Sequence, residues 1–356
     1  MTTEPIHPFR HHGQTGAAIR LALGNLGLDI VTLSFWRFWG RTRMRKMLWG
    51  DTTAWDDPVE YTGTGGELFK GFLVVLVLIY LPLVAGFAWA QALMAENDPR
   101  AVSAISTLYL LLILLVAAGT YRARRYQLSR TMWRGIRGGQ TGSALHYALL
   151  SLAMWLTASI SLGWALPWGE MMLARYRWNH TRFGDKSFRC DANTKGLYGR
   201  FALIWLSGLF FILVASFLGW AAADMGKTAG LTEGVVIALG SVVAVLVAVF
   251  MLVLPWARYR AAVLANTATG ISFDGHRFAA PVRTWPLTRL VLGNMLISFF
   301  SLGILRPWAA QRMFHFACQV IAIDGVPDFA TVRQSLDTGP ASGEGLIAVL
   351  DGAGEF

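Results

Sequence analysis

The chain has 356 residues, of which 54% are hydrophobic and only 15% charged, and its mean hydropathy is +0.46. An average soluble protein carries roughly 25% charged residues, so this chain has too little polar surface to face water alone. Its net charge of +10 gathers beside apolar runs, a distribution that fits membrane orientation and contact with anionic lipid and argues against nucleic acid as the partner.

Residues 1–15 are polar and carry His7, His11 and His12 on a Pro-bearing stretch. Their spacing is only loosely metal-like, and no metal or cofactor is expected. The apolar run after them contains Arg20 and Asp29 and has no small-residue cleavage site, so no signal peptide is read. Cys190 and Cys318 lack CxxC spacing and indicate neither a disulfide framework nor a zinc site.

Four runs reach the ~20 apolar residues that a ~30 Å hydrocarbon core requires: 68–94, 101–120, 201–223 and 235–256. Three others, 17–39, 144–168 and 287–308, are shorter, interrupted by Gly or polar. Gly63, Gly65 and Gly66 precede a helix start at Glu67, with a spacing that fails the P-loop pattern and reads as a flexible lead into the helix. Short strand-like pieces at 59–62, 187–191, 271–273, 277–280 and 329–333 point to β-hairpins that pair into a small sheet. Residues 338–356 are Gly-rich and read as a loose tail.

The three interrupted runs share an ending. Ser161-Leu162-Gly163 followed by Pro167-Trp168 recurs as Ser301-Leu302-Gly303 followed by Pro307-Trp308, and in degraded form as Thr32-Leu33 to Trp39. In that first copy Ser34 replaces the Gly and Phe38 the Pro, which weakens the expected helix break. Arg20 to Asn25 matches Arg289 to Asn294 in the same way. The order is A-B-C-A-B-C-A, where A is the motif segment and B–C a pair of spanning helices. Its units are a tail 1–15, repeats 16–142 and 143–283, a third A segment 284–337 and a tail 338–356.

The linkers after A and C are basic throughout, while the B–C loops carry Glu96, Asp98 and Arg100, or Asp224, Lys227 and Glu233. The positive-inside rule then places both ends of every A segment in the cytosol. Either A enters the membrane and returns, or lies in the interface, or it spans and the repeats are inverted as in transporters. The agreement of four basic linkers argues for the first. The expected fold is an all-α polytopic membrane protein, with four spanning helices, three repeated re-entrant or interfacial (alternatively spanning) helices and short cytosolic β-hairpin strands.

Residues 61–72, the stretch Ser129-Arg130-Thr131-Met132-Trp133-Arg134-Gly135-Ile136-Arg137-Gly138 and the repeated Ser-Leu-Gly…Pro-Trp motif resemble the YjgN-like bacterial inner-membrane proteins, over about residues 17–332. That family is a domain of unknown function. The resemblance implies a multi-pass inner-membrane protein with most linkers cytosolic, and it supplies no catalytic residues.

Ionisable residues inside a membrane segment are functional candidates. Asp29 and Arg20 qualify, and Asp29 aligns with Ala158 and Ser298, outside the repeated scaffold. Asn25, Asn294 and Arg289 are repeated positions suited to interhelical hydrogen bonds or to a polar site. Arg122, Arg124, Arg130, Arg134 and Arg137, interleaved with Trp133 and with no acid between Tyr121 and Gly142, form a set able to bind anionic headgroups or simply to orient the chain. Without any catalytic constellation, an enzyme ranks last. The functional expectation is a transporter or channel-like protein for a small solute or ion, or else a non-catalytic protein that binds anionic lipid or organises the membrane, alone or as a homo-oligomer or with a membrane partner.

Overall fold

The computed structural model describes residues 5–228, 232–336 and 339–340, and the chain is mostly helical. In order it forms β1 (Phe9–His11), α1 (Thr15–Val31), α2 (Arg37–Gly50), β2 (Thr52–Ala54), β3 (Asp57–Tyr61) and α3 (Gly65–Val75). A π-helical turn, Leu76–Tyr80, joins α3 to α4 (Leu81–Ala95), immediately before Pro82 removes a backbone donor. Then come α5 (Arg100–Arg130), β4 (Thr131–Trp133), β5 (Ile136–Gln140), α6 (Ala144–Ile160), α7 (Leu166–Asn179), β6 (Thr181–Phe183), β7 (Lys186–Ser187) and β8 (Arg189–Cys190). The chain continues through α8 (Leu197–Thr228), α9 (Glu233–Gly270), β9 (Ile271–Phe273), β10 (His276–Ala279), α10 (Thr284–Phe300), α11 (Arg306–Val320) and β11 (Ala322–Ile323).

Three described helical stretches are long and apolar enough to cross a membrane: Gly65–Ala95, Arg100–Arg130 and Leu197–Ala221. Little of their apolar surface is buried within the protein, so lipid must cover it. The fourth predicted span falls within α9, part of whose side chains lies outside the described residues. The tail read at 338–356 is also outside them, apart from 339–340.

Each of the three interrupted runs breaks into two helices, the first of which has 17 residues in every case. The breaks have one backbone geometry. Leu33 and Ser34, Leu162 and Gly163, and Leu302 and Gly303 all have positive φ. The N–H of Ser34, Gly163 and Gly303 reaches back to the carbonyl of Asp29, Ala158 and Ser298, each at 2.7 Å, which is a Schellman closure. The Thr32, Ser161 and Ser301 hydroxyls then accept from the N–H of Trp36, Ala165 and Leu305, at 2.9, 2.9 and 3.1 Å, and start the next helix. Pro167 and Pro307 sit in the first turn of α7 and α11, where no N–H is needed. The first copy turns just as sharply without its Gly or Pro, because the Thr32 hydroxyl and the Asp29 carbonyl supply the same hydrogen bonds.

The strands do more than form a small sheet. A seven-stranded sheet runs β1 to β7 and a four-stranded sheet β8 to β11. Phe188 links β7 directly to β8, and Ile6 pairs with Ile323 through two hydrogen bonds of 2.9 Å, so the strands close into a ring. The shared strands serve two neighbours in succession: Asp57 and Pro58 pair with β2 and Val59–Tyr61 with β4, while Ile136 and Arg137 pair with β4 and Gly138–Gln140 with β6. Trp55-Asp56, Arg134-Gly135 and Asp274-Gly275 turn with both residues at positive φ, as two-residue hairpins require. Hairpin β4–β5 arises inside the basic linker, and the N-terminal polar stretch supplies β1.

Residues Phe329–Thr331, read from sequence as strand-like, form a 3₁₀ turn, since the Asp328 side chain caps it by accepting from Ala330 N–H. Phe329 packs 4.7 Å from Trp55 and 4.8 Å from Trp133, and Lys186 ties this segment to the ring through Asp274 (2.8 Å) and Thr331 (2.6 Å).

Every helical pair leaves the ring from one strand and returns on its neighbour. The short pairs start and end at His11↔Thr52, Gln140↔Thr181 and Ala279↔Ala322, and the long pairs at Tyr61↔Thr131 and Cys190↔Ile271.

Candidate functional site

The ring closes where the first helical pair meets the last, and a cleft of about 520 Å³ opens along that seam. Helix α1 contributes Ala22, Asn25, Leu26 and Asp29, and α2 contributes Arg37, Gly40, Arg41 and Met44. Both sets follow the i, i+3, i+4, i+7 spacing of one helical face. Across from them lie Asn294 and Ser298 of α10, the turn Leu302-Gly303-Ile304, and Arg306, Ala309, Ala310 and Met313 of α11. Small residues leave the space open.

The two asparagines hold their own helical pairs together. Asn25 Nδ2 donates to Gly40 O at 3.4 Å, and Asn294 Nδ2 donates to Ala309 O at 3.1 Å. Their carbonyl oxygens accept from Trp36 Nε1 (3.4 Å) and Arg312 Nη1 (3.0 Å). Among the described residues Asp29 Oδ1 is enclosed without a hydrogen-bond partner, with the Arg37 guanidinium close enough to act on it. Arg37 and Arg41 have partners of their own, whereas Arg306 is exposed at the edge of the cleft. Among the described residues Asp29 is the one carboxylate that lines the cleft, with Arg37, Arg41 and Arg306 also in its walls. Arg20 and Arg289 are exposed and do not line the cleft.

The arginines of the basic linker are spread over several surroundings. Arg122 is exposed. Arg124 stacks on Trp178 at 4.7 Å. Arg130 pairs with Glu67 at 3.0 and 2.9 Å, and Tyr126 donates its hydroxyl to the same carboxylate at 2.6 Å. Arg134 pairs with Asp57 and lies 4.5 Å over Trp133. Arg137 donates its backbone N–H to the Gln334 side chain. Trp133 is buried, with Nε1 donating to Ala54 O at 3.0 Å. Helical residues two apart diverge by about 200°, and Arg134 and Arg137 sit on a hairpin, so the set is spread over more than one face.

The repeat tryptophans divide similarly. Trp39 stacks on Trp36 at 5.9 Å and abuts Gly65, where a Cβ would stand 2.6 Å from the indole. Arg312 lies over Trp308 at 5.8 Å, and Trp168 is exposed. Gly65 is therefore a close-packing position, with Thr64 capping α3 by accepting from Glu67 N–H.

Residues 6–349 match the family described as bacterial proteins of unknown function (DUF898). The chain belongs to this family. It is also 22% identical to the inner membrane protein YjgN of Escherichia coli O157:H7 over 222 residues, covering 62% of this chain and 51% of that protein. The chain thus spans about half the length of that relative. No solved structure matches. The three apolar helices are those of a membrane protein, in keeping with a relative named as an inner membrane protein.

Sequence reasoning misses three kinds of residue. Arg306 and Arg312 do not stand out as site residues, although each lies at a fixed distance from the third motif. Glu67 does not stand out as the partner of Arg130, because 63 residues separate them. Glu170, which accepts from Tyr259 at 2.9 Å and pairs with Arg260 at 3.4 Å, gives no local signal. Among the described residues, no group of three His, Cys, Asp or Glu side chains is placed to hold a metal ion.

Proposed function

We propose that the protein is a non-catalytic inner-membrane protein that holds a phospholipid headgroup in the seam cleft, with its strand ring on the cytosolic face and its three short helical pairs dipping into one leaflet. The observation that carries the reading is a cleft lined by the exposed Arg306 and by the Asp29 carboxylate, opening beside the apolar turn at Leu302. Guanidiniums bind phosphate oxygens bidentately, and the volume suits a small ligand.

The re-entrant placement rests on the strand pairing. A segment whose two ends pair on adjacent strands keeps both ends on one side, and the basic linkers favour the cytosol for that side. Seventeen residues give about 26 Å of helix, out and back. The turns carry Leu33, Leu162 and Leu302 at 84%, 73% and 91% exposure. A left-handed leucine costs roughly 1–2 kcal/mol, and lipid contact accounts for its apolar side chain far better than water does. The A-B-C repetition fits this arrangement, with the three turns as equivalent tips.

Native mass spectrometry of the protein extracted in mild detergent tests the reading. Retained phospholipid is expected in the wild-type protein and is lost in Arg306→Glu; a wild-type protein carrying none, or unchanged retention in the variant, overturns it. A transport reading is favoured by one observation, the enclosed Asp29 carboxylate oxygen. It predicts that Asp29→Asn abolishes proton-coupled flux in proteoliposomes.

A further inference from the structure

The occupant of the cleft can be narrowed to a chemical class of lipid, an assignment that rests on the headgroup reading. Asp29 is dispensable to the turn it precedes. The Schellman hydrogen bond uses its backbone carbonyl, and Ala158 and Ser298 supply the same bond in the other two pairs. The carboxylate must therefore be explained by something other than the fold.

Its side chain lines the cleft, and among the described residues no donor reaches its Oδ1, a costly state for a carboxylate oxygen unless a donor arrives. Arg37, the cation that acts on it, is engaged elsewhere as well, including over the Phe38 and Phe72 rings at 5.0 and 5.2 Å. On the opposite wall Arg306 offers an exposed guanidinium fork. With Arg37 and Arg41 beside Asp29 holding partners of their own, the groups left to a ligand are an acceptor on α1 and a donor on α11, both lining a space of about 520 Å³. Leu26, Leu302 and Ile304 continue that space toward the apolar turns.

A ligand complementary to both walls carries a phosphodiester and, a short spacer away, an ammonium that can donate hydrogen bonds. We propose that the cleft selects phospholipids bearing a primary ammonium, the ethanolamine type, with the ammonium on Asp29 and the phosphate on Arg306. A choline headgroup carries the same charges but has no N–H to give Asp29. A glycerol headgroup can donate from hydroxyls but brings net negative charge beside the carboxylate.

The test is competition for the cleft in nanodiscs, using phosphatidylethanolamine, phosphatidylcholine and phosphatidylglycerol of identical acyl chains, read by native mass spectrometry. Wild-type protein is expected to retain the ethanolamine lipid over the choline lipid by at least about tenfold, the scale of one charge-assisted hydrogen bond. Asp29→Asn is expected to bring the two within about twofold, and Arg306→Ala to weaken all three lipids alike. Equal retention of ethanolamine and choline lipids by the wild-type protein overturns the proposal while leaving the headgroup reading intact, and so does an unchanged preference in Asp29→Asn. Retention of no phospholipid overturns both. The wild-type comparison needs no variant, so a misfolded Asp29→Asn does not spare the proposal.

Discussion

Gln140 and Thr181 lie opposite each other on neighbouring antiparallel strands, with the whole of α6 and α7 between them in the chain. Tyr176 of α7 donates its hydroxyl to Ser143 O at 3.0 Å and accepts from Ser143 N–H at the same distance, so the pair is antiparallel along its length. Such a segment returns to the side it left. Single cysteines at Gly50, Ser187 and Asp328, with Cys190 and Cys318 replaced, are therefore expected to label from the cytosolic face only. A cysteine at Asn97, in the loop between the long helices, labels from the other face. Labelling of the first three from alternating sides would rule out the common-side arrangement.

The depth of the turns can be measured directly. A nitroxide at Leu162→Cys in proteoliposomes is expected to collide more often with dissolved oxygen, which partitions into lipid, than with an aqueous nickel chelate. The reverse ratio would place the turn in water and remove the re-entrant reading.

The hydroxyl that starts each second helix has a definable cost. Ser161→Ala leaves the Ala165 N–H without its 2.9 Å acceptor, and a lost hydrogen bond of this kind costs about 1 kcal/mol. Ser161→Thr is expected to be close to neutral, since Thr32 does the same at the first turn. Thermal unfolding in detergent distinguishes the two; equal losses would deny the hydroxyl its role.

Glu67 anchors α5 to α3 through Arg130 and Tyr126. The side chains of Glu67 and Arg130 are 31% and 17% exposed, so solvent reduces the value of the pair, and Glu67→Gln is expected to cost about 1–2 kcal/mol. A double-mutant cycle with Tyr126→Phe should show coupling of about 0.5 kcal/mol or more. Additive losses would mean that the three groups act independently.

Hydropathy and the Gly and Pro of the motif make the long helices and two of the three turns legible, because each rests on local residue types. The first turn is harder to read, since Ser34 at φ 68° does what Gly does elsewhere and the compensating hydroxyl of Thr32 is common in helices. Hairpin β4–β5 is hidden by its arginines, although Arg134-Gly135 is an acceptable turn pair. Ring closure is illegible: Ile6 and Ile323 stand near opposite ends of the chain, and two-residue pairings leave no periodic trace. In the cleft, repetition points to Asn25 and Asn294 and its absence points to Asp29. The facing Arg306 depends on which helical pairs become neighbours, which no local pattern encodes.

That closure offers a pH test. His11 lies on β1 at the seam, buried, with Nδ1 2.9 Å from Thr52 Oγ1. Burial holds its pKa below the usual 6.5; Asp51 acts in the opposite direction, and His315 and His12 reinforce the lowering. The folded state then binds fewer protons than the unfolded state below pH 6.5, so its stability falls as pH drops through the folded pKa. Wild-type protein is expected to lose more thermal stability between pH 7.5 and pH 5.5 than His11→Gln, measured in the same detergent. If the variant loses as much, the acid sensitivity belongs to other groups and His11 serves the seam only by packing.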